Sequence, residues 1–314
     1  MTTDAGVSDW KSGKPVEEID IRYNWQTCWE QVFNKQIDLI KEDIGRARKE
    51  DRLIIYLSCP ISSRGGGYHG TNIDIARHTE RRLLEAWGER FWILNPCQYQ
   101  MESKEGTGLM YRHADELKIP REKLDGWPPP GGGDYMRMWT RVLCEDGYYF
   151  PEVKDPNCGR CFDVFYFLGP TDVQDFFTKD GVQTVTSGVE EYFARKSATD
   201  PDFCDFYTEP GIRWGPLPPG TPTGDPLQDD LRKKWKTKRQ EFFRFYAVRA
   251  SVNYSLGSHD EWNIFRLLNQ RRLALTRARE MLDGDVGDQI AGYFDGRQID
   301  PAAGQTPVVR GYAL

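Results

Sequence analysis

Two short apolar runs on either side of one amphipathic stretch are the feature that most constrains the fold of this chain. Residues 53–57 read Leu-Ile-Ile-Tyr-Leu and residues 91–94 read Phe-Trp-Ile-Leu, and polar residues interrupt neither run. A strand that is buried on both faces of a parallel sheet has this pattern. Between the runs, the apolar positions of residues 71–87 recur at helical spacing. The sequence therefore predicts a right-handed βαβ unit.

A third strand and two helical regions complete the predicted organisation. Residues 162–168 are almost entirely aromatic and aliphatic and predict a strand, whereas residues 16–50 and 229–283 carry the periodicity of helices. The segment 98–134 and the tail from Gly284 are expected to be irregular. These boundaries divide the chain into an N-terminal helical segment (1–51), an α/β domain (52–208), a Pro/Gly-rich connector (209–228) and a helical C-terminal extension (229–314).

Charge and composition exclude several classes of partner. The 314 residues include 42 Lys and Arg against 48 Asp and Glu, which gives a formal net charge of −6. This acidic balance argues against non-specific binding to nucleic acid or to an anionic membrane. No apolar run approaches the roughly 18–20 residues of a membrane helix. Because the first residues also lack the basic start and apolar stretch of a secretion signal, we expect a cytoplasmic protein.

The cysteines and histidines predict no metal site. There are 7 Cys and 4 His, and the cysteines are odd in number and irregular in spacing, which indicates free thiols. Only Cys158 and Cys161 have CxxC spacing, and no second pair completes the four ligands of a structural zinc site. We therefore expect no cofactor, while a redox role or half of a metal site stays open for this pair.

The loop after the first predicted strand has the composition of an anion-binding loop. Ligands of open α/β sheets bind beyond the carboxyl ends of the strands, and residues 62–67 stand there, reading Ser-Ser-Arg-Gly-Gly-Gly. Glycines let the backbone approach an anion, which hydroxyls and amides can then bind. No Gly-Lys-Ser/Thr follows, so this is not a Walker A loop. A flexible turn is the alternative. The candidate substrate-binding residues are Ser62, Ser63, Arg64, Gly65 and Gly66.

Acidic residues follow the third predicted strand in two places. Asp172 comes directly after Gly169-Pro170-Thr171, and Glu190 and Glu191 fall in the first turn of a helix that is predicted to begin near Gly188. One interpretation is that the two glutamates complement the helix dipole. The other is that one of them acts in catalysis.

Four segments, taken in order, resemble one protein family. Residues 55–60 (Ile-Tyr-Leu-Ser-Cys-Pro) match a first strand written Ile-Tyr-Leu-x-x-Pro. Residues 135–137 (Tyr-Met-Arg) and the Asp-aromatic strand 163–168 are similar to segments of the same family, and residues 188–191 (Gly-Val-Glu-Glu) resemble its catalytic Gly-Thr/Val-x-x-Glu turn. The family is the nucleoside 2-deoxyribosyltransferase-like superfamily. Residues 62–66 further resemble the phosphate loop of its nucleoside 5′-monophosphate N-glycosidase branch.

The resemblance implies a glutamate that attacks the anomeric carbon of a nucleoside or nucleotide and forms a glycosyl-enzyme, as in retaining glycoside hydrolysis. Family spacing puts this glutamate four residues after the glycine, where this chain has Tyr192. Glu191 is the preferred nucleophile because its apolar neighbours keep the family's register, and Glu190 is the alternative. Tyr56 would hold the nucleophile through its hydroxyl, and Asp172 would protonate or hydrogen-bond the leaving base.

The resemblance also implies a flavodoxin-like, doubly wound parallel α/β sheet that needs no metal, with Asp163 as a further substrate-binding candidate. We expect an N-glycosidase or 2-deoxyribosyltransferase that cleaves the base–sugar bond of a small nucleoside or nucleotide. The first alternative is a non-catalytic nucleotide-binding or sensing module on the same fold. The second is an unrelated α/β enzyme with Cys59 as its nucleophile.

Aromatic residues at both ends of the chain predict a homodimer or a larger oligomer. Apolar stripes of this kind either pack on each other or form an interface between subunits. Members of the family are similar in being oligomers whose neighbouring subunits complete the active site. The residues concerned are Trp25, Trp29, Phe33, Phe242, Phe243, Phe245 and Tyr246.

Overall fold

A computed structural model describes seven stretches of the chain: residues 21–62, 67–101, 104–144, 161–207, 224–280, 289–300 and 311–313. Ser63, Arg64, Gly65 and Gly66 of the predicted anion loop lie outside these stretches, as do Cys158 and most of the predicted connector 209–228. No helix in the described stretches is both long and apolar enough to cross a membrane.

The core of the protein is one five-stranded sheet with the order β2-β1-β3-β4-β5. The first four strands in this order run parallel, and β5 pairs antiparallel with β4. The predicted βαβ unit and the predicted third strand are therefore confirmed. The strands are β1 (Leu53–Ser58), β2 (Phe91–Leu94), β3 (Val164–Phe167), β4 (Ala291–Phe294) and β5 (Arg297–Ile299).

Ten α-helices are found in the described stretches. A π-helical turn (Phe245–Arg249) and a 3₁₀ turn (Val252–Tyr254) connect the last two of them. The helices are α1 (Glu30–Lys49), α2 (His69–Trp87), α3 (Lys104–Glu116), α4 (Arg121–Asp125), α5 (Gly132–Cys144), α6 (Pro170–Thr178), α7 (Val185–Thr199), α8 (Pro201–Tyr207), α9 (Pro226–Arg244) and α10 (Leu256–Glu280).

Helices cover both faces of the sheet. On one face, the Tyr56 ring of β1 packs against Trp139 of α5 and Phe165 of β3, and α1 and α10 pack on the same side. On the other face, the Tyr166 hydroxyl of β3 contacts Arg82 of α2 and Asp172 of α6. Neighbouring side chains of a strand point to opposite faces, so Phe165 and Tyr166 belong to different layers.

Two predictions of irregular structure are wrong. The segment 98–134 contains α3 and α4, and the tail after Gly284 contains β4 and β5. The four residues of β4 read Ala-Gly-Tyr-Phe, which is a weak strand signal by itself. The strand forms because it pairs with β3 and because Gly292 leaves room for the Phe265 ring, which a Cβ at that position would overlap. The sheet thus takes three strands from residues 52–208 and two from residues 229–314.

Asp163 ties three elements together at the amino ends of the strands. Its carboxylate accepts a hydrogen bond of 2.7 Å from the backbone N–H of Ile54. It also forms an ion pair of 2.9 Å with Arg48 at the end of α1. Ligands of parallel sheets bind at the opposite, carboxyl ends. The position of Asp163 therefore indicates a role in stability rather than in substrate binding.

We expect the Asp163→Ala variant to lower the free energy of unfolding by about 1–3 kcal/mol, because it leaves the N–H of Ile54 without its acceptor. Urea denaturation monitored by circular dichroism measures this change. Unchanged stability together with a loss of ligand affinity would instead support the sequence-based assignment of Asp163 to the substrate site.

Candidate active site

A cavity of about 430 Å³ opens at the carboxyl ends of the strands. The loop after β1 (Cys59 to Ser62) lines one part of it, and Pro96 and Gln100 after β2 line another. The N-terminal parts of α5 and α10, the π-helical turn before α10, His69 and Ile73 of α2 and Tyr312 also line it. The cavity therefore lies where the strands of an open parallel sheet end, which is the usual place for a ligand.

Glu261 in the second turn of α10 is the only carboxylate among the described residues that line this cavity. It is 5% exposed. The Tyr56 hydroxyl donates a hydrogen bond of 2.7 Å to Oε1, and the Ser58 hydroxyl donates one of 2.5 Å to Oε2. Tyr56 and Ser58 are two residues apart on β1 and so share one face of the sheet, which brings both hydroxyls to the same carboxylate.

Burial makes Glu261 an unusually weak acid. Desolvation disfavours the carboxylate form and raises the pKa of Glu261 from 4.5 to about 7. The hydrogen bonds from Ser58 and Tyr56 act in the opposite direction, and the nearby charge of Asp260 adds to the rise in pKa. Glu261 therefore changes its charge near neutral pH, which is the behaviour expected of a group that reacts there.

Aromatic packing holds the Tyr56 hydroxyl in position. The centroid of the Tyr56 ring lies 5.8 Å from that of Trp139, 5.9 Å from that of Phe162 and 5.2 Å from that of Phe165. The ring is completely buried among these aromatic residues. The hydrogen bond to Glu261 is therefore fixed before any ligand enters.

A second group of polar side chains gives the cavity the means to bind an anion. The hydroxyls of Ser251 and Ser258 are buried and have no hydrogen-bond partner within the described residues. Arg249, the last residue of the π-helical turn, also lines the cavity, and it forms no ion pair with the part of the chain that the structure describes. Ser258 stands in the first turn of α10, where backbone N–H groups favour a negative charge.

The two predicted nucleophiles lie elsewhere. Thr184 caps α7, accepting a hydrogen bond of 3.1 Å from the N–H of Ser187, so the helix begins before Gly188. Glu190 and Glu191 consequently occupy the second turn rather than the predicted first turn, and both are exposed and outside the cavity lining. Gly188 itself is explained by packing, because a Cβ there would overlap the carbonyl of Phe177 on α6.

Asp172 lies on the opposite face of the sheet from the cavity. It accepts hydrogen bonds of 2.8 Å from the Tyr166 hydroxyl and the N–H of Gly169, and it pairs with Arg82. Burial raises its pKa from 3.8 to about 6. Of the predicted site residues within the described stretches, the structure thus brings only Tyr56 and Ser62 to the cavity, with Tyr56 behind Glu261.

The sequence contains a signal for Glu261 in the residues that precede it. Residues 257–261 read Gly-Ser-His-Asp-Glu, which places a glutamate four residues after a glycine, the spacing that the family resemblance asks for. The segment lies in a region predicted as one long helical extension. The structure shows that this helical region is interrupted before Leu256, where α10 begins, so Gly257 lies in the first turn of a separate helix.

Cys59 lines the cavity but lacks the surroundings of an activated thiol. Its Sγ lies 3.7 Å from the Cys97 Sγ. The contact with Cys97 and burial both raise the pKa of Cys59, whereas a nucleophilic cysteine needs a lowered one. The described residues also contain no group of three or more His, Cys, Asp and Glu side chains arranged to bind a metal.

Comparison with known proteins finds no match for this chain among family models, curated proteins or solved structures. The functional assignment therefore depends on the geometry of the cavity and on the sequence motifs.

The raised pKa of Glu261 predicts how stability depends on pH. A group that binds its proton more tightly in the folded state stabilises the protein at low pH, and this contribution is lost as pH rises from about 4.5 to about 7. The free energy of unfolding of the wild-type protein should therefore fall over this interval relative to that of Glu261→Gln, because the glutamine side chain does not titrate. Urea denaturation of both proteins from pH 4 to 8 measures the difference, and parallel pH profiles would contradict the raised pKa.

Proposed function

We propose that the protein is an N-glycosidase or 2-deoxyribosyltransferase that cleaves the base–sugar bond of a nucleotide-like substrate, with Glu261 as its nucleophile. The observation that carries the proposal is the buried Glu261 carboxylate, which faces the cavity while Tyr56 and Ser58 hold its two oxygens. The tyrosine is the strand-one residue to which the family resemblance gives this role. The strand order also supports a flavodoxin-like sheet, from which the chain departs in its antiparallel β5.

The reaction proceeds in two displacements. A carboxylate oxygen of Glu261 attacks C1′ of the sugar while the bond between C1′ and the base nitrogen breaks. The electron pair of that bond leaves with the base, which takes up a proton from water. Water then attacks C1′ of the resulting sugar ester, loses a proton to solvent and releases Glu261 as a carboxylate. Attack by a nitrogen of a second base gives a new nucleoside instead.

The two hydroxyl contacts suit this chemistry. Hydrogen bonds from neutral donors orient the carboxylate and partly offset its burial without neutralising its charge. An arginine partner would form a stronger pair and make the carboxylate a poorer nucleophile. Because only the ionised form attacks, we expect the rate to rise with pH through about 7.

Arg249, Ser251 and Ser258 support a 5′-phosphate on the substrate. A guanidinium, two unpartnered hydroxyls and a helix N-terminus are more anion-binding chemistry than a neutral sugar requires. Ser62 also lines the cavity. Ser63, Arg64, Gly65 and Gly66 lie outside the described residues, and their contact with a phosphate stays a prediction from the sequence.

A non-catalytic nucleotide sensor is the second candidate. The observation that favours it is the pKa of Glu261, because a value of about 7 leaves part of the carboxyl group protonated at neutral pH. The described lining of the cavity also contains no second carboxyl group to protonate the leaving base. A sensor would bind nucleotides and release no base.

Incubation with a panel of nucleosides and nucleoside 5′-monophosphates, followed by chromatography of the free base, tests the proposal. Glu261→Gln should reduce base release by about 10⁴-fold or more, because the covalent route is lost. Glu191→Gln, an exposed glutamate on α7, is the matched control and should keep wild-type turnover. The opposite result would restore the sequence-based assignment of Glu191, and no base release by the wild type would favour the sensor.

Arg249→Ala should raise the KM for a nucleoside 5′-monophosphate by roughly 10- to 150-fold, the equivalent of losing a charge-assisted contact of about 1.5–3 kcal/mol. The reaction of the corresponding nucleoside should change little. Arg244→Ala is the control because Arg244 is exposed and outside the cavity lining. Equal wild-type rates on nucleoside and nucleotide would contradict a phosphate subsite.

The homodimer stays a prediction. Most of the aromatic residues on which it was based are buried inside the chain. Trp29 packs against Trp127 and Phe33 against Tyr135, Phe242 packs among the aromatic residues of α7 and α8, and Tyr246 packs against Phe242 and against Phe177 of α6. They therefore do not form the exposed stripe that would indicate an interface.

A further inference from the structure

The segment Gly311–Ala313 is anchored beside the cavity by the residue that precedes Glu261. The Asp260 carboxylate accepts a hydrogen bond of 2.6 Å from the N–H of Tyr312 and one of 3.4 Å from the N–H of Ala313. Ala313 also forms an antiparallel bridge with Tyr23. These contacts bring Tyr312 into the lining of the cavity.

Two glycines make this placement possible. A Cβ at Gly132, the first residue of α5, would overlap the ring and hydroxyl of Tyr312, so the tyrosine lies directly on the backbone at the start of that helix. A Cβ at Gly311 would overlap the carboxylate of Asp260. Any larger residue at either position would displace the segment, which shows how closely the tyrosine is packed into this wall.

The loop beneath Tyr312 is held rigidly from the other side. Trp29 Nε1 donates a hydrogen bond of 2.8 Å to the carbonyl of Pro128, and Gln26 Nε2 donates one of 2.9 Å to the carbonyl of Pro129. The carboxylate of Asp134 accepts from the N–H groups of Gly131 at 2.7 Å and of Gln26 at 2.5 Å. A fixed support of this kind orders an aromatic wall before a ligand binds.

The chemistry of the cavity divides between an anion-binding group and an aromatic wall. The anion-binding group consists of Arg249, Ser251 and Ser258. Tyr312 belongs to the aromatic wall together with Tyr135, Met136 and Trp139, which come from one face of α5. Any nucleobase can stack on an aromatic side chain, because every base is planar and has a π-face.

We propose that Tyr312 is the residue that selects ligands with a nucleobase, by packing its ring against the base, and that Asp260 is the residue that positions it. The inference rests on the proposed nucleotide substrate. Two neighbouring residues of α10 then have separate roles: Glu261 contacts the sugar, and Asp260 positions the tyrosine that contacts the base. Tyr312 would contribute binding to the base but not to the sugar phosphate.

Isothermal titration calorimetry in a Glu261→Gln background tests this inference without turnover. The ligands are AMP, GMP, CMP and UMP, and ribose 5-phosphate serves as the ligand without a base. Tyr312→Ala should weaken the best nucleotide by about 5- to 100-fold and leave the affinity for ribose 5-phosphate unchanged. Tyr312→Phe should stay within about twofold of the parent, since the aromatic face remains.

Further variants separate this role from a structural one. Tyr312→Leu keeps apolar volume without a π-face and should lose nucleotide affinity, whereas Tyr111→Ala, outside the cavity lining, should not. Asp260→Ala and Gly132→Ala should reproduce the selective loss by displacing the ring. Circular dichroism confirms that each variant is folded.

Three outcomes overturn the inference. Equal weakening of nucleotide and ribose 5-phosphate by Tyr312→Ala would make Tyr312 a structural residue. No weakening of either would show that the ring does not meet the base. A parent protein that binds none of the ligands would overturn the proposed function as well, and this result differs from the first two because it appears before any change at Tyr312.

Discussion

The hydrogen bonds that Tyr56 and Ser58 donate to Glu261 are the interaction on which the candidate site depends. A buried carboxylate costs folding free energy unless polar groups compensate it, so the two hydroxyls and the carboxylate must come together or none of them is well placed. Tyr56 and Glu261 are 205 residues apart in sequence. The contact therefore obliges α10 to pack on the face of the sheet that carries Tyr56, and it makes the C-terminal part of the chain an integral part of the α/β unit.

A comparison of the two buried carboxylates explains why one is assigned to chemistry and the other to structure. Asp172 is closed in by Arg82, Tyr166 and the backbone of Gly169 on the side of the sheet away from the cavity. Glu261 has two neutral hydroxyl partners and faces the cavity. Burial raises both pKa values, to about 6 and to about 7. A carboxylate that is paired with a cation is satisfied, whereas the Glu261 carboxylate lines the cavity with neutral hydroxyl partners.

The preorganisation of the site comes from contacts between distant parts of the chain. Trp139 and Phe165 fix the tyrosine ring, and the segment before α1 holds the loop that leads into α5. Asp260 brings in Tyr312 from a segment 52 residues further along the chain. Each contact joins elements that are distant in sequence, so the shape of the cavity is a property of the whole sheet and its two helical layers.

The sequence by itself determined the parallel strands β1, β2 and β3 and the helix between the first two, because uninterrupted apolar runs and helical periodicity are local patterns that survive folding. It also placed Tyr56 in the first strand. The structure extends that strand to Ser58, which shares the face of Tyr56 because side chains alternate along a strand. Local periodicity left open which glutamate meets them: Gly188 and Gly257 both precede glutamates, and the first is a packing glycine against Phe177. Only the tertiary structure decided for Glu261, formed β4 and β5 from a segment with little strand signal, and carried Tyr312 to the cavity. These features arise from pairings between distant residues, whose free energy appears only when the partners meet.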